Sequence, residues 1–109
     1  MGNMFNGCSL LETLDLSSLK TSGIVSVSSA FYGCDSLTNV VFENNCFSNA
    51  ILTKLDLSYS PLSHDCAVDI FNKLATHTNS PTLKLSSTTK GYLTDQEIAV
   101  ATGKGWVIA

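Results

Sequence analysis

Few side chains in this sequence are able to do chemistry, and their spacing marks no active site. His64 and His77 are too far apart for the i, i+4 pair that holds a metal on one helix face, and no motif brings a third ligand to them. We therefore expect both histidines to lie on the surface. The sequence predicts no metal site.

Cysteine is the other reactive residue type, and the chain has four, at positions 8, 34, 46 and 66. They form no C-x-x-C pair, so zinc-clip and redox motifs are absent from the sequence. The even number allows two disulfides, while the alternative is buried thiols that pack as small apolar residues, which we favour. Cys8 and Cys34 hold equivalent positions in a repeat described below, so we expect their sulfurs to stack. No glycine-rich nucleophile turn or oriented base accompanies any cysteine, which argues against a thiol nucleophile.

Acidic residues have a structural explanation. Asp65, Asp69, Asp95 and Glu97 fall in or near the first turns of two predicted helices, where a negative charge is stabilised by the helix dipole. The segment Gly103-Lys104-Gly105 follows a helix pattern, whereas a phosphate-binding loop joins a strand to a helix. We therefore predict no catalytic residue and no cofactor.

The elements that would position any site come from a repeat. The stretch MFNGCSLLETLDLSSLK at 4–20 returns as AFYGCDSLTNVVFENN at 30–45, with Phe5 on Phe31 and Gly7 on Gly33. Its L-x-x-L-x-L core recurs at 37–42 and 52–57, more weakly at 82–86, and a short apolar strand ends the chain at 106–108. Such a period is typical of leucine-rich repeats. We predict one domain over 1–109, with repeats of about 1–26, 27–48, 49–76 and 77–109, the last serving as C-terminal cap.

Alternation along each strand predicts its two faces. Leu14 and Leu16 should point into the core and Asp15 outward, and each copy should pair with the next as one parallel ladder. The outward residues form the candidate binding surface: Thr13, Asp15, Ser17, Asn39, Val41, Glu43, Lys54, Asp56, Ser58, Thr82, Lys84 and Ser86. The alternative is an ordinary solvated sheet face. Asp15 and Asp56 are its most informative members.

Helices should lie between the strands. We expect one or two helical turns over Ile24–Phe31, a helix over Asp65–Ala75 capped by Ser63, and a helix over Asp95–Ala101 with a Thr94–Glu97 capping box. Gly103 or Gly105 should end the last helix. Trp106 should close the end of the core, and Tyr59 is read equally as a contact residue, a core residue or neutral surface.

Composition excludes several functional classes. A net charge of −3 argues against nucleic-acid binding, which requires a basic footprint. No apolar run approaches the about 18 residues that span a bilayer. The first residues lack the basic start and apolar middle of a signal peptide, which leaves the location open.

The residues Met1-x-x-Met4-Phe5-x-Gly7-Cys8-Ser9-x-Leu11, followed by Leu14-Asp15-Leu16-Ser17, resemble the BspA-like leucine-rich repeats of bacterial surface proteins. The tail over 93–106 is similar to the C-terminal ending of such proteins. Val40, Val41 and Phe42 depart from the usual Leu-Asp-Leu. The resemblance implies an α/β fold, a right-handed leucine-rich-repeat solenoid with a parallel sheet on the concave face and short helices on the convex face.

The same resemblance implies a non-enzymatic adhesion module at the cell surface or secreted, which binds a protein or glycan on a host or neighbouring cell. It also implies a fragment of a longer protein, lacking the signal peptide and capped only at its C-terminal end. We then expect an exposed strand edge at residues 11–16 that could form a dimer. The alternatives are a structural cap or spacer of a longer repeat protein, or a receptor-binding module of a phage or mobile element, with an enzyme as the weakest hypothesis.

Overall fold

Strands form where apolar and polar residues alternate, and helices form where capping residues precede an apolar stripe. The computed structural model describes residues 10–27 and 31–109. In this part of the chain the elements are, in order, β1 (Thr13–Leu16), β2 (Ser26–Val27), β3 (Asn39–Phe42), β4 (Lys54–Leu57), α1 (His64–Lys73), β5 (Thr82–Leu85), α2 (Ser87–Gly91), α3 (Asp95–Thr102) and β6 (Val107–Ile108). The result is a small α/β fold of parallel sheets and short helices.

The strands pair in parallel and form two sheets within the described residues. In the first sheet β1 lies beside β3, with Thr13 opposite Asn39 and Leu16 opposite Phe42. The second sheet has the order β2–β4–β5–β6. Paired residues are between 25 and 28 positions apart in the sequence. Each strand therefore finds its partner about one sequence repeat away.

This topology confirms the predicted pairing of consecutive copies for β1 with β3, β4 with β5 and β5 with β6, but it corrects the prediction of a single ladder, because β3 does not pair with β4. β3 pairs with β1, whereas β4 pairs with β2 and β5. Residues 43–53 join β3 to β4, and this connection is shorter than the dozen or more residues that a crossover between paired parallel strands requires. The chain therefore passes from one sheet to the other, and two consecutive copies of the leucine phrase lie in different sheets.

One of the two partners of β4 was predicted as helix. The described part of Ile24–Phe31 contains β2, which pairs Ser26 with Lys54, and the Thr53 amide donates to the carbonyl of Val25 at 2.8 Å. The helical prediction is thus wrong for this segment, because Val25 and Val27 are β-branched and favour extended backbone. Residues 28–30 of the predicted turns lie outside the described part.

The first long helix was predicted correctly. α1 begins after Ser63, whose hydroxyl oxygen accepts a hydrogen bond from the amide of Cys66 at 3.2 Å. It ends at Lys73 rather than at Ala75, because Leu74 is extended and bridges to Cys46. The Lys104 ammonium donates to the carbonyls of Phe71 and Asn72 at the end of α1, which complements the helix dipole.

The C-terminal elements also follow the sequence. Thr94 and Glu97 form the predicted capping box of α3, and Gly103 is its C-cap. The predicted strands near 82–86 and 106–108 are β5 and β6, which pair with each other. The short helix α2 was not predicted; the side chain of Ser86 caps it by accepting a hydrogen bond from the amide of Thr89.

Both sheets contribute to one core. Val40 and Phe42 from β3, and Leu55 and Leu57 from β4, are at most 1% exposed. Trp106 is buried as predicted. The leucines of β1 are only partly buried, together with Leu11 and Ile24. No helix in the two described ranges has the length and apolarity needed to cross a membrane.

Candidate binding surfaces

The predicted surface residues fall into two groups, one on each sheet. Thr13, Asp15 and Ser17 lie beside Asn39, Val41 and Glu43 on or just after β1 and β3; we name this group the β1–β3 face. Lys54, Asp56 and Ser58 lie beside Thr82, Lys84 and Ser86 on or just after β4 and β5; we name this group the β4–β5 face. The prediction of one continuous sheet surface is therefore corrected to two, because β3 and β4 are not paired.

The β1–β3 face has the more accessible side chains. Thr13, Asp15, Ser17 and Asn39 are exposed, and the register places Thr13 opposite Asn39 and Asp15 opposite Val41. One carboxylate oxygen of Asp15 accepts the Ser17 amide at 2.9 Å. Hydrogen bonds from Ser17 lower the pKa of Asp15, so that the carboxylate is ionised at neutral pH. This face offers a solvent-exposed anion flanked by neutral polar groups.

Asp56 has the same place in the sequence phrase but a different environment. Its side chain is 3% exposed and accepts hydrogen bonds from the amide and hydroxyl of Ser58, at 2.9 and 2.5 Å. The Lys54 ammonium lies 3.7 Å from the carboxylate, and Lys84 is the cross-strand neighbour. Asp56 thus stabilises the turn after β4, whereas Asp15 remains accessible to a partner.

Glu43 is also engaged inside the protein. One of its carboxylate oxygens accepts hydrogen bonds from both the amide and the hydroxyl of Thr21, each at 2.6 Å. These bonds lower the pKa of Glu43. Thr21 is fully buried, and its hydroxyl oxygen also accepts the amide of Phe47 at 2.7 Å. Sequence reasoning missed this arrangement, because Thr21 lies 22 residues before Glu43 and 26 residues before Phe47 in the chain.

His77 belongs to the same buried network. It is 7% exposed, its Nε2 lies 2.6 Å from the carbonyl oxygen of Phe47, and its ring packs edge-to-face on Trp106 at 5.2 Å between centroids. Phe47 itself has a φ of 56°, which is unusual for a bulky residue. Side chains from two distant segments thus hold both of its backbone polar groups. The prediction that His77 lies on the surface is wrong.

His64 joins two helices. Its Nδ1 lies 3.0 Å from an Asp65 oxygen and its Nε2 lies 2.5 Å from an oxygen of Glu97, which connects the first residue of α1 with the capping box of α3. Hydrogen bonds to Asp65, and then to Glu97, raise the pKa of His64. The prediction of a surface position holds in part, since the side chain is 43% exposed. The described residues include no cluster suited to a metal ion.

The thiols pack as apolar residues. Cys46 and Cys66 are buried free cysteines, as predicted, and burial raises the pKa of the Cys46 thiol to about 12. The Cys66 sulfur lies 3.3 Å from the amide nitrogen of Val40 and 3.5 Å from its carbonyl oxygen. Cys34 is buried as well. The predicted stacking of Cys8 on Cys34 involves a residue outside the described part.

Two exposed tyrosines lie close together outside the two named faces, and the sequence analysis considered only one of them. Tyr59, one of whose readings was a contact residue, is 39% exposed, and Tyr32 is 54% exposed. Their rings meet edge-to-face with centroids 5.0 Å apart. The sequence did not signal Tyr32, because its meeting with Tyr59 depends on the pairing of β2 with β4, and the β2 segment was predicted as helix.

The part of the chain that the structure describes contains no pocket. Comparison of the chain with family models, with curated proteins and with solved structures finds no match.

Proposed function

We propose that this chain is a non-enzymatic binding module of the leucine-rich-repeat type, displayed at a cell surface or secreted, which recognises a protein or glycan on another cell. The proposed architecture is a right-handed solenoid, and the proposed family is that of BspA-like surface proteins. Support comes from strand pairs separated by 25 to 28 residues, which match the period of the repeated phrase.

One observation carries the proposed mode of binding. Val40 and Phe42 of β3 are buried and the leucines of β1 pack against the same core, while Thr13, Asp15 and Asn39 on the β1–β3 face are exposed. The backbone under them is held by the parallel pairing, so a partner would meet a rigid array of polar groups without ordering it first. On these strands, the side chains that stabilise the core are thus distinct from the exposed side chains that are free to contact a partner.

A non-enzymatic role is consistent with the state of the reactive groups. His77 is occupied by the backbone of Phe47, and His64 is bridged between two carboxylates. The Cys46 thiol, with its pKa near 12, is protonated at neutral pH. These groups serve the packing of the fold.

The test uses the purified chain on immobilised matrix proteins, a glycan array and whole cells. Thr13→Ala, Asp15→Asn and Asn39→Ala combined should abolish retention on a partner bound through the β1–β3 face, while Asn72→Ala, an exposed change on α1, should not. Asp56 is left unaltered because its removal would disturb the turn after β4. Equal retention of both variants would exclude the β1–β3 face as the binding surface, and fractionation of source cells would test the proposed location.

A structural role is the second candidate, favoured by the ends of the two sheets. The leucines of β1 are only partly buried, whereas the equivalent Val40 and Phe42 are buried, which is the pattern expected where a further repeat would pack. At the other end, β6 pairs over only two residues and α3 packs beside α1. A cap or spacer of this kind would retain no partner in the assay above.

A further inference from the structure

Tyr32 and Tyr59 stand out because the other described large aromatic rings, apart from Tyr92, lie in the core. Each tyrosine sits in a tight turn between two buried residues. Phe31 and Cys34 flank Tyr32, and the Cys34 amide donates to the Phe31 carbonyl at 3.0 Å across the turn. Gly33, with a φ of 79°, supplies the left-handed residue that this turn requires. The backbone under Tyr32 is therefore fixed, and its ring is presented to solvent.

The second turn repeats this design. Leu57 and Ser60 flank it, each 1% exposed, and the Ser60 amide donates to the Leu57 carbonyl at 3.3 Å. Ser58 is tied to the carboxylate of Asp56. Since β2 and β4 are paired, the turns that follow them bring Tyr32 and Tyr59 together, with their planes 70° apart. The two rings form a preorganised aromatic corner on the surface.

We propose that this aromatic corner is a binding site for a neutral sugar ring of a glycan. The inference rests on the proposed binding function and names a ligand class and a site within it. A pyranose presents a flat patch of C–H groups that packs on an aromatic face, and its hydroxyls can bond to tyrosine hydroxyls and nearby acceptors. Both rings are rigid and amphipathic, so little side-chain entropy is lost on binding.

The surroundings favour this occupant over others. The segments 31–36 and 57–62 carry one acidic residue, Asp35, and no basic residue, so an anionic ligand would find no counter-charge within them. A peptide helix or a proline-rich peptide docks in a groove, and the described part of the chain has no pocket. An uncharged ligand that lies flat on the surface fits the corner best.

The experiment uses the whole chain with its tyrosine rings carbon-13 labelled, and NMR titration with neutral hexaoses of glucose, N-acetylglucosamine, mannose and galactose at millimolar concentration. Tyr92, which is 52% exposed and has no ring partner among the described residues, is an internal control. Saturable shifts of the Tyr32 and Tyr59 signals with at least one sugar, and none at Tyr92, would support the proposal. No shift with any of the four sugars would overturn it.

Variants test the role of the rings. Tyr32→Ser and Tyr59→Ser should each weaken binding by about tenfold, Tyr59→Phe should retain most of it, and Tyr92→Ser should leave it unchanged. Amide spectra of each variant establish that it folds. A response to decaproline without a response to sugars would overturn the proposal in favour of a peptide site. Sugar binding that persists in both serine variants would also refute it, while cell binding through the β1–β3 face would still leave the proposed function standing.

Discussion

The buried hydroxyl of Thr21 connects its own segment to the residues that follow β3, and the isosteric change Thr21→Val should show how much this connection contributes. The hydroxyl donates to Glu43 and accepts from the amide of Phe47, at 2.6 and 2.7 Å. Valine keeps the volume but leaves the Phe47 N–H buried without an acceptor, at a cost of about 2 kcal/mol. Glu43 is partly exposed, so water replaces much of the bond that it loses.

The expected change in melting temperature follows from the size of the chain. An unfolding entropy of about 2.1 cal/mol/K per residue over 109 residues gives about 0.23 kcal/mol/K, so about 2 kcal/mol lowers the Tm by about 9 °C. Circular dichroism on heating measures it. Thr76→Val, at an exposed threonine, is the matched control and should change the Tm little.

The pH dependence provides an independent test of the same connection. The bonds from Thr21 lower the pKa of Glu43 below its ordinary 4.5, so they contribute stability above that pH that is lost as the pH falls through the lowered value. The difference in Tm between Thr21→Val and the unaltered chain should therefore shrink in acid without vanishing, because the Phe47 amide remains unsatisfied. A loss no larger than that of Thr76→Val, or a difference independent of pH, would refute the reasoning.

Four further predictions concern the remaining contacts. Asp56→Ala should lower the free energy of unfolding by about 1–3 kcal/mol in urea titration, because it removes the acceptor that holds the turn after β4. Asp15→Ala, at the exposed equivalent position, should change it much less, and equal effects would contradict the assignment. Because its pKa is raised in the folded chain, His64 should stabilise the fold fully below about pH 6.5, and this contribution should be lost as the pH rises through the raised value. Because its pKa is lowered, Glu97 should stabilise the fold above about pH 4.5 and lose this contribution in acid. The Tm measured against pH should therefore fall at both ends, and His64→Gln should remove the fall at high pH. Iodoacetamide should modify Cys46 only after unfolding, as read by peptide mass spectrometry, and rapid labelling of the native chain would exclude its burial. Light scattering should reveal dimers through the edge of β1 as concentration rises, and a single-chain mass throughout would rule them out.

Local patterns predicted the parts of the fold that depend on local interactions. Ser63 and Thr94 cap helices whose first turns lie next to them in the sequence, and their caps were found where they were expected. The alternation in β3 and β4 predicted that their apolar residues at alternate positions, Val40, Phe42, Leu55 and Leu57, enter the core. It did not predict the burial of Asp56. The short helix α2 was not predicted, because its sequence of serine and threonine residues has no apolar stripe.

Pairing was harder to predict, because it depends on how far the chain must travel. The leucine phrases at β3 and β4 look alike, yet β4 pairs with β5 and with the two-residue β2, which has no such phrase, and not with β3. Because strand pairing could not be predicted, the environment of the candidate binding residues could not be predicted either. Nothing in the local sequence distinguishes the exposed Asp15 from the buried Asp56, and the meeting of Tyr32 with Tyr59 depends on which strands pair.

The thiol of Cys66 has a consequence for how the protein associates. Residues of β3 direct their backbone N–H and C=O groups alternately to the two edges of the strand. On the edge away from β1, the backbone groups of Val40 contact the sulfur of Cys66 instead of another strand. Beside them, the Ser63 amide donates to the carbonyl of Thr38. The start of α1 therefore protects that edge of the β1–β3 sheet, and among the described strands of this sheet β1 is the one left to accept a new strand. Growth from a single edge ends in a closed pair of chains rather than an open fibre, so this sheet limits its own polymerisation.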